Sequence, residues 1–384
     1  MALRFFTAGE SHGPCLTAII EGLPAGLSID IDKINQDLAR RQQGYGRGGR
    51  MKIEQDTADV LSGIRFGETL GSPVTLAIRN KDWANWGGRM AAFGEPEGKQ
   101  VLEARPGHAD LTGTLKYDRE DIRDILERAS ARETAARVAV GGIAKQLLGV
   151  FGMTIVSHVT NIGGVQISES VDYALLEQRK AGSDLSCIQP DVEEKMKAAI
   201  QQAKEAGDTL GGIFEVAALQ VMPGLGSHVQ WDRRLDTRLA ALLMSIPAIK
   251  GVEFGAGFGY AALPGSVAHD EIFYSEQQGY YRQTNRAGGI EGGMSNGEVI
   301  VARAVMKPIP TLMMPLTSVD IKTKQAVKAS TERSEVCAVT AAAGVGEAML
   351  AIGLAQTLLE QFSRDNMADL AAAVKSYTDR VAAK

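Results

Sequence analysis

Apolar residues recur along the chain in two rhythms. Every third or fourth position is apolar in the stretch that places Ile34, Leu38 and the stem of Arg41 on one face, which predicts a helix capped by Asp32 and ended by Gly44 with a cationic last turn. Ser130-x-x-Glu133 reads as a capping box for a helix over roughly 131–148, with Val138 and Leu147 pointing inward. Gly141 and Gly142 would each weaken that helix by about 1 kcal/mol relative to Ala unless close packing offsets the loss. Asp191-x-x-Glu194 opens another helix ending at Gly207, and Asp232 opens one more. The stretch 344–362 is so nearly apolar all round that it must be buried. The second rhythm, β-branched runs bounded by glycine, predicts strands at 16–21, 73–79, 213–221 and 298–306.

Strands and helices alternate in blocks, and no Pro/Ser-rich linker or charge block divides them, so a single α+β domain over 1–384 is expected. A weak duplication shows inside it. LPAGL (23–27) before the Asp32 helix resembles MPGLG (222–226) before the Asp232 helix, about 200 residues on. Arg128-Ala129-Ser130 and Arg333-Ser334 each precede a long helix. The pseudo-repeats are placed at about 1–160 and 210–362, with a helical tail over 363–384.

Composition changes this picture little: 45% hydrophobic and 23% charged residues describe an ordinary folded protein. The net charge of −5 argues against general nucleic-acid affinity. Cys15, Cys187 and Cys337 are odd in number and far apart, which disfavours disulfides and structural zinc. Met1–Phe6 run straight into Gly-Glu-Ser-His-Gly without a leader pattern, and no uninterrupted apolar run approaches about 18 residues. The expectation is a cytoplasmic protein with no membrane and no nucleic-acid partner.

Against that background, glycine and arginine concentrate together at 40–54, 105–113, 128–141 and 284–311. Glycine lets backbone amides approach a ligand, and guanidinium forks fit phosphate and carboxylate, so these stretches imply one polyanionic site. Arg40, Arg41, Arg47, Arg50 and Lys52 read as a small-anion clamp; a solvated basic face and an RNA-binding RGG segment are the competing readings. Gly9-Glu10-Ser11-His12-Gly13 fits a serine-hydrolase elbow by letter, but a strand-like LTAIIE follows where a helix is needed. His12 is then an acid or base in a glycine-bounded turn, or simply a capping residue. His108, beside Arg105 in Arg-Pro-Gly-His-Ala-Asp, is catalytic or a structural histidine bonded by Asp110. The helix start after Ser130 offers amides to an anion and leaves Arg128 and Arg132 unexplained by capping. Lys307-Pro308-Ile309-Pro310-Thr311 is a rigid strand exit or a ligand contact.

In this order, GESHGP, RRQQGYGRGGRMKIE, RPGHADLTG, RASARETAARVAVGG, GVEFGAGF, TNRAGGIEGGMSNGE, KPIPT and ERSEVCAVTAA resemble the chorismate synthase family from residue 3 to about 362. The resemblance implies a β-α-β sandwich with internal pseudo-two-fold duplication, a homotetramer, and 1,4-elimination of phosphate from 5-enolpyruvylshikimate 3-phosphate with reduced FMN. It implies His12, His108 and Glu335 as catalytic, and Arg41, Arg47, Arg50, Arg105, Arg132 and Arg333 as holders of substrate or NADPH anions. It implies flavin contacts at Arg128, Ala129, Ser130, Ala248, Gly292, Lys307, Pro308, Ile309, Pro310, Thr311 and Arg333. Two positions depart from the family pattern: Glu335 stands where an aspartate is usual, and Thr340 where many relatives carry proline. An FMN-dependent NADPH oxidoreductase is the alternative on the same fold, since some members reduce their own flavin.

Overall fold

Antiparallel pairing organises every extended segment of the two main sheets. The structure is a computed structural model and describes residues 3–46, 55–95, 97–332 and 335–384. Strands β1 (Arg4–Ala8) and β2 (Cys15–Glu21) form a hairpin with Phe5 opposite Ile20. Helix α1 (Ile31–Gln42) follows, then β3 (Asp59–Ser62) and β4 (Val74–Arg79), giving the sheet order β1-β2-β4-β3. After α2 (Asp110–Tyr117), α3 (Arg123–Ala129) and α4 (Thr134–Gly149), the chain builds the second sheet.

That sheet contains β5 (Thr154–Ile162), the two-residue β6 (Val165–Gln166), β7 (Gly212–Leu219), β8 (Ile249–Phe254) and β9 (Ile300–Met306), ordered β8-β9-β7-β5-β6. Helix α5 (Pro190–Glu205) precedes β7, and α6 (Leu235–Met244) lies between β7 and β8. Two C-terminal helices, α7 (Val339–Phe362) and α8 (Met367–Ala382), complete the chain. Leaving aside β6, each sheet pairs its first strand with its second, the second with the fourth and the fourth with the third. In both, a helix separates strands two and three and a longer helix follows strand four.

The core lies on the helices. Helix α4 packs on β2 and β4 of the first sheet, α7 on β5 and β7 of the second, and α4 and α7 pack on each other. The close approach explains the two helical glycines: a Cβ at Gly141 would clash with Ala348 of α7, and one at Gly142 would lie 3.0 Å from Ile34 of α1. Gly346 and Gly353 of α7 play the same part, a Cβ there falling 2.5 Å from Phe214 and 2.6 Å from Leu239. Helix α7 is long and apolar enough to cross a membrane by length and composition, yet 89% of its most apolar window is buried inside this protein.

Several local expectations change. The cap of α1 is Asp30, whose side chain accepts from the Asp32 amide at 3.0 Å, because the chain turns two residues earlier. Ser130 does accept from an amide, that of Arg132, but Glu133 pairs with Arg137 one turn on, so the box is half made and a 3-10 turn precedes α4. Gln189 and Pro190 open α5 in place of Asp191, with proline at the first position that lacks an amide partner anyway. Asp232 lies in a separate 3-10 turn, and α6 starts at Leu235 with no side-chain cap. Strands β1, β3, β5 and β8 were not expected. In β5, Ser157 and His158 interrupt the apolar run, and burial is tolerated because they bond Glu347 and Glu215. MKIE (51–54), read as strand-like, lies outside the described residues.

Candidate active site

His12 sits in the tight turn between β1 and β2, so its neighbour Ser11 has a strand on each side and the hydrolase elbow is excluded. The turn is gripped from two directions. Glu127 of α3 reaches it with its carboxylate: the His12 amide donates to Oε2 at 2.8 Å, and ring Nδ1 lies 3.0 Å from both oxygens. Asn80, at the end of β4, donates its side-chain amide to the carbonyls of Gly13 and Glu10 at 2.7 and 3.2 Å. With two carboxylate oxygens facing it, Nδ1 carries the proton, which directs Nε2 away from Glu127. Burial pushes the Glu127 carboxyl up, but the bonds from His12 and Arg123 outweigh it and hold it below the usual range.

The same Asn80 accepts from Arg132 at 2.8 and 3.0 Å through its oxygen. Arg132 in turn donates to Asp56 at 2.6 and 2.7 Å, and Arg41 donates to Asp56 at 3.0 Å. Asp56 is thus a buried carboxylate between two buried guanidinium groups delivered by α1 and by the start of α4. Arg128 lies across the end of β1, donating to the carbonyls of Thr7 and Gly9 at 2.9 and 3.2 Å. Ala129 and Ser130 continue from it into the turn that opens α4.

A second histidine is built on the same plan. His108 Nδ1 lies 2.5 Å from Asp110 Oδ1, and Arg105 donates to both oxygens of Asp110 at 2.8 and 3.1 Å. Burial alone would raise the Asp110 carboxyl; hydrogen bonds from His108 and Arg105 reverse this and hold it far below the usual range. Arg105 also donates to Thr311 at 2.9 Å, and Lys307 reaches the Gly107 carbonyl with its ammonium group. The Lys307 amide donates to Ala248 at 3.0 Å, and Ala248 holds φ +69, an uncommon conformation for a side-chain-bearing residue. Thr209 donates to the Ile309 carbonyl, so Pro308–Pro310 bridge strand β9 to the Arg105 loop.

The two histidine centres are joined through α2 and α3, which pack together. Glu335 belongs to the same region. Glu332, three residues before it, accepts from Arg123 at 3.1 Å, and Val336, the next residue, is fixed by backbone bonds to Gly46 and Leu210. Gly292, by contrast, sits in a separate two-residue hairpin with open space where a side chain would project. Arg47, Arg50, Lys52 and Arg333 lie outside the described residues. Of the arginines expected to hold substrate anions, Arg41, Arg105 and Arg132 are each buried against a carboxylate. Glu127, Asp56, Asn80 and Trp86, whose ring stacks on that of His12, are residues that sequence reading missed; each is distant along the chain from a partner, and only the pairing of β2 with β4 and the docking of α3 bring them together.

Comparison with known proteins supplies a second line. The chain matches the family model described as chorismate synthase over residues 3–359. It is similar to the chorismate synthase of Geobacter sulfurreducens, 55% identical over 391 residues with 99% of this chain and 100% of the relative covered. It is also similar to that of Aquifex aeolicus, 54% identical over 390 residues, 99% and 98% covered. A crystal structure of chorismate synthase superimposes with a TM-score of 0.80 at 44% identity, covering 100% of this chain and 99% of that one.

Proposed function

The chain belongs to the chorismate synthase family and is a carbon–oxygen lyase of aromatic amino-acid biosynthesis, and from that premise we propose that the two carboxylate-held histidines and the arginines around them form its active site. The reaction is loss of phosphate from 5-enolpyruvylshikimate 3-phosphate to give chorismate. The observation that carries the site assignment is the repeated Arg–carboxylate–His unit, Arg123–Glu127–His12 and Arg105–Asp110–His108. Such units fix a ring tautomer and leave the distal nitrogen for proton exchange.

Reduced FMN is the cofactor of this reading, and the residues present suit it. The Arg105 loop combines Gly107 at φ +81, the Lys307 ammonium and the rigid Pro308–Pro310 exit, a cationic cradle in which backbone can approach a flat anion closely. Lys307, Thr311, Ala248 and the 128–130 turn would hold it, with Gly292 contributing open backbone. When bound, reduced flavin supplies electron density that eases departure of phosphate. Glu335 takes the C6 proton, the C6–H electron pair and the ring double bond become the diene as the C3–O bond breaks, and His12 gives its proton to the departing phosphate. His108 holds a proton at the cofactor side. Arg41, Arg132 and Arg105, with Arg47, Arg50 and Arg333, orient the carboxylates and phosphate.

The matching strand orders support the sandwich with internal two-fold duplication. Exposed Phe6, Ile272, Tyr274, Tyr280, Met313 and Met314 support assembly, read here as a homotetramer, and three free cysteines support a reducing, cytoplasmic setting. The test is anaerobic absorbance at about 275 nm with substrate and chemically reduced FMN, the cofactor carrying the hard chemistry. Product is expected, falling by about 10²-fold or more in His12→Ala. A wild-type rate in that variant would remove His12 from the mechanism. Replacing the chemical reductant with NADPH decides whether the protein reduces its own flavin.

A further inference from the structure

His12 has a third neighbour that the proposed chemistry does not use. Trp86 lies flat on the imidazole, with ring centroids 3.9 Å apart and planes inclined by 24°. Its delivery is tied to the His12 turn. Asn80, which grips Gly13, also accepts the Trp83 amide, and Trp83 accepts that of Trp86, so one 3-10 turn (Lys81–Asn85) leads from the turn that holds the histidine to the ring that covers it. Arg123 closes the circle: it donates to Glu127 at 2.8 Å while its guanidinium stands 5.0 Å from the Trp86 ring.

We propose that Trp86 and Glu127 are positioning residues that together set the orientation and the charge of His12: Glu127 holds Nδ1–H at the ring edge, and Trp86 offers its electron-rich face to the imidazolium. This rests on the reading of His12 as proton donor. A buried imidazole is disfavoured as a cation by loss of water, whereas a carboxylate at its edge and an indole at its face both favour the cation. Among the described residues, the charged groups near this turn include Glu127, Arg123 and Arg128 from α3, Glu10 from the turn itself, and Arg89, 5.6 Å from the Trp86 ring. Glu127 meets the ring directly with both carboxylate oxygens, and a carboxylate so placed favours the cation. Arg123 is shared between Glu127 and Trp86 and keeps both in place.

The stack provides its own signal, because an imidazolium quenches indole emission by accepting an electron and a neutral imidazole does so far less. Tryptophan emission of the ligand-free protein, followed between about pH 8 and 5 where histidine titrates, is expected to fall on acidification. Trp86→Phe and His12→Ala should each abolish the fall, although Trp83 and Trp231 remain. Glu127→Gln, which keeps the shape but turns one of the two acceptor oxygens into an amide and removes the charge, should move the midpoint of the fall to lower pH. The pH above which turnover is lost should move down with it, in kcat more than in KM. A fall that survives Trp86→Phe, or an unchanged midpoint in Glu127→Gln, overturns the proposal. Should Glu127→Gln fail to fold, the pH profile of turnover in Trp86→Phe decides alone, and an unaltered profile overturns it. If the fluorescence behaves as expected while His12→Ala turns over normally, the cage stands and the proton-donor assignment falls.

Discussion

Glu335 extends one methylene beyond the aspartate usual in the resembled family, and its surroundings give it little room to compensate. The Val336 amide donates to Gly46 at 3.2 Å and its carbonyl accepts from Leu210 at 2.9 Å, so the backbone beside the carboxylate is held from two sides. A displacement of about 1 Å at a reacting group can cost about 10²-fold in rate. Glu335→Asp is therefore expected to raise kcat by up to about that factor with KM little changed, and a steady-state assay showing no gain would mean the longer side chain already sits correctly. At this scale the sequence was informative about residue type and silent about partners. His12, His108 and Arg105 stood out through glycine, proline and charge nearby, and Asp110 was visible as a neighbour two residues from His108. Glu127 reads as one more acid on a helix surface, because what makes it special is a turn far along the chain.

Among the elements, α4 and α7 were the most legible and their junction the least. Near-complete apolarity announced that α7 is buried, and glycines at 141 and 142 signalled that something packs closely on α4; what packs there depends on tertiary structure. The answer is Ala348 and Ile34. Gly141→Ala gains helix propensity of about 1 kcal/mol but sets a methyl group against α7. Overpacking of that kind costs about 1–3 kcal/mol or more, so a net loss is expected in urea unfolding, and a stabilised variant would show that the helices can separate without penalty. Thr340 now has a role: it lies in the first turn of α7, where proline is also tolerated, and its hydroxyl donates to the Leu185 carbonyl at 3.4 Å. Strand β5 escaped notice because its polar residues look like surface residues until Glu347 and Glu215 are brought to them.

Across the whole molecule, burial of charge and the order of the chain have consequences of their own. Glu347, wholly buried in α7, binds Arg40 and Lys145 and accepts from Ser157 at 2.6 Å, tying both long helices to α1 and the second sheet. Burial would raise its carboxyl; the charges of Lys145 and Arg40 overcome this and hold it far below the usual range. With the folded value depressed, as for Asp110 and Glu127, the stabilisation is present above the unfolded value near pH 4 and is lost as pH falls below it. Urea midpoints should thus be flat from about pH 7 to 5.5 and drop steeply below about 4.5, less steeply in Glu347→Gln. An equal slope in that variant would assign the acid sensitivity elsewhere. Helix α7 also has a place in time. The ribosome adds about 5–20 residues per second and releases the chain N-terminus first, so the helix that covers the second sheet emerges only after every strand of that sheet. Until it does, the inner face of the second sheet and one side of α4 lack their principal partner, and the nascent chain must wait, exposed and in need of shielding, for that helix to lock them.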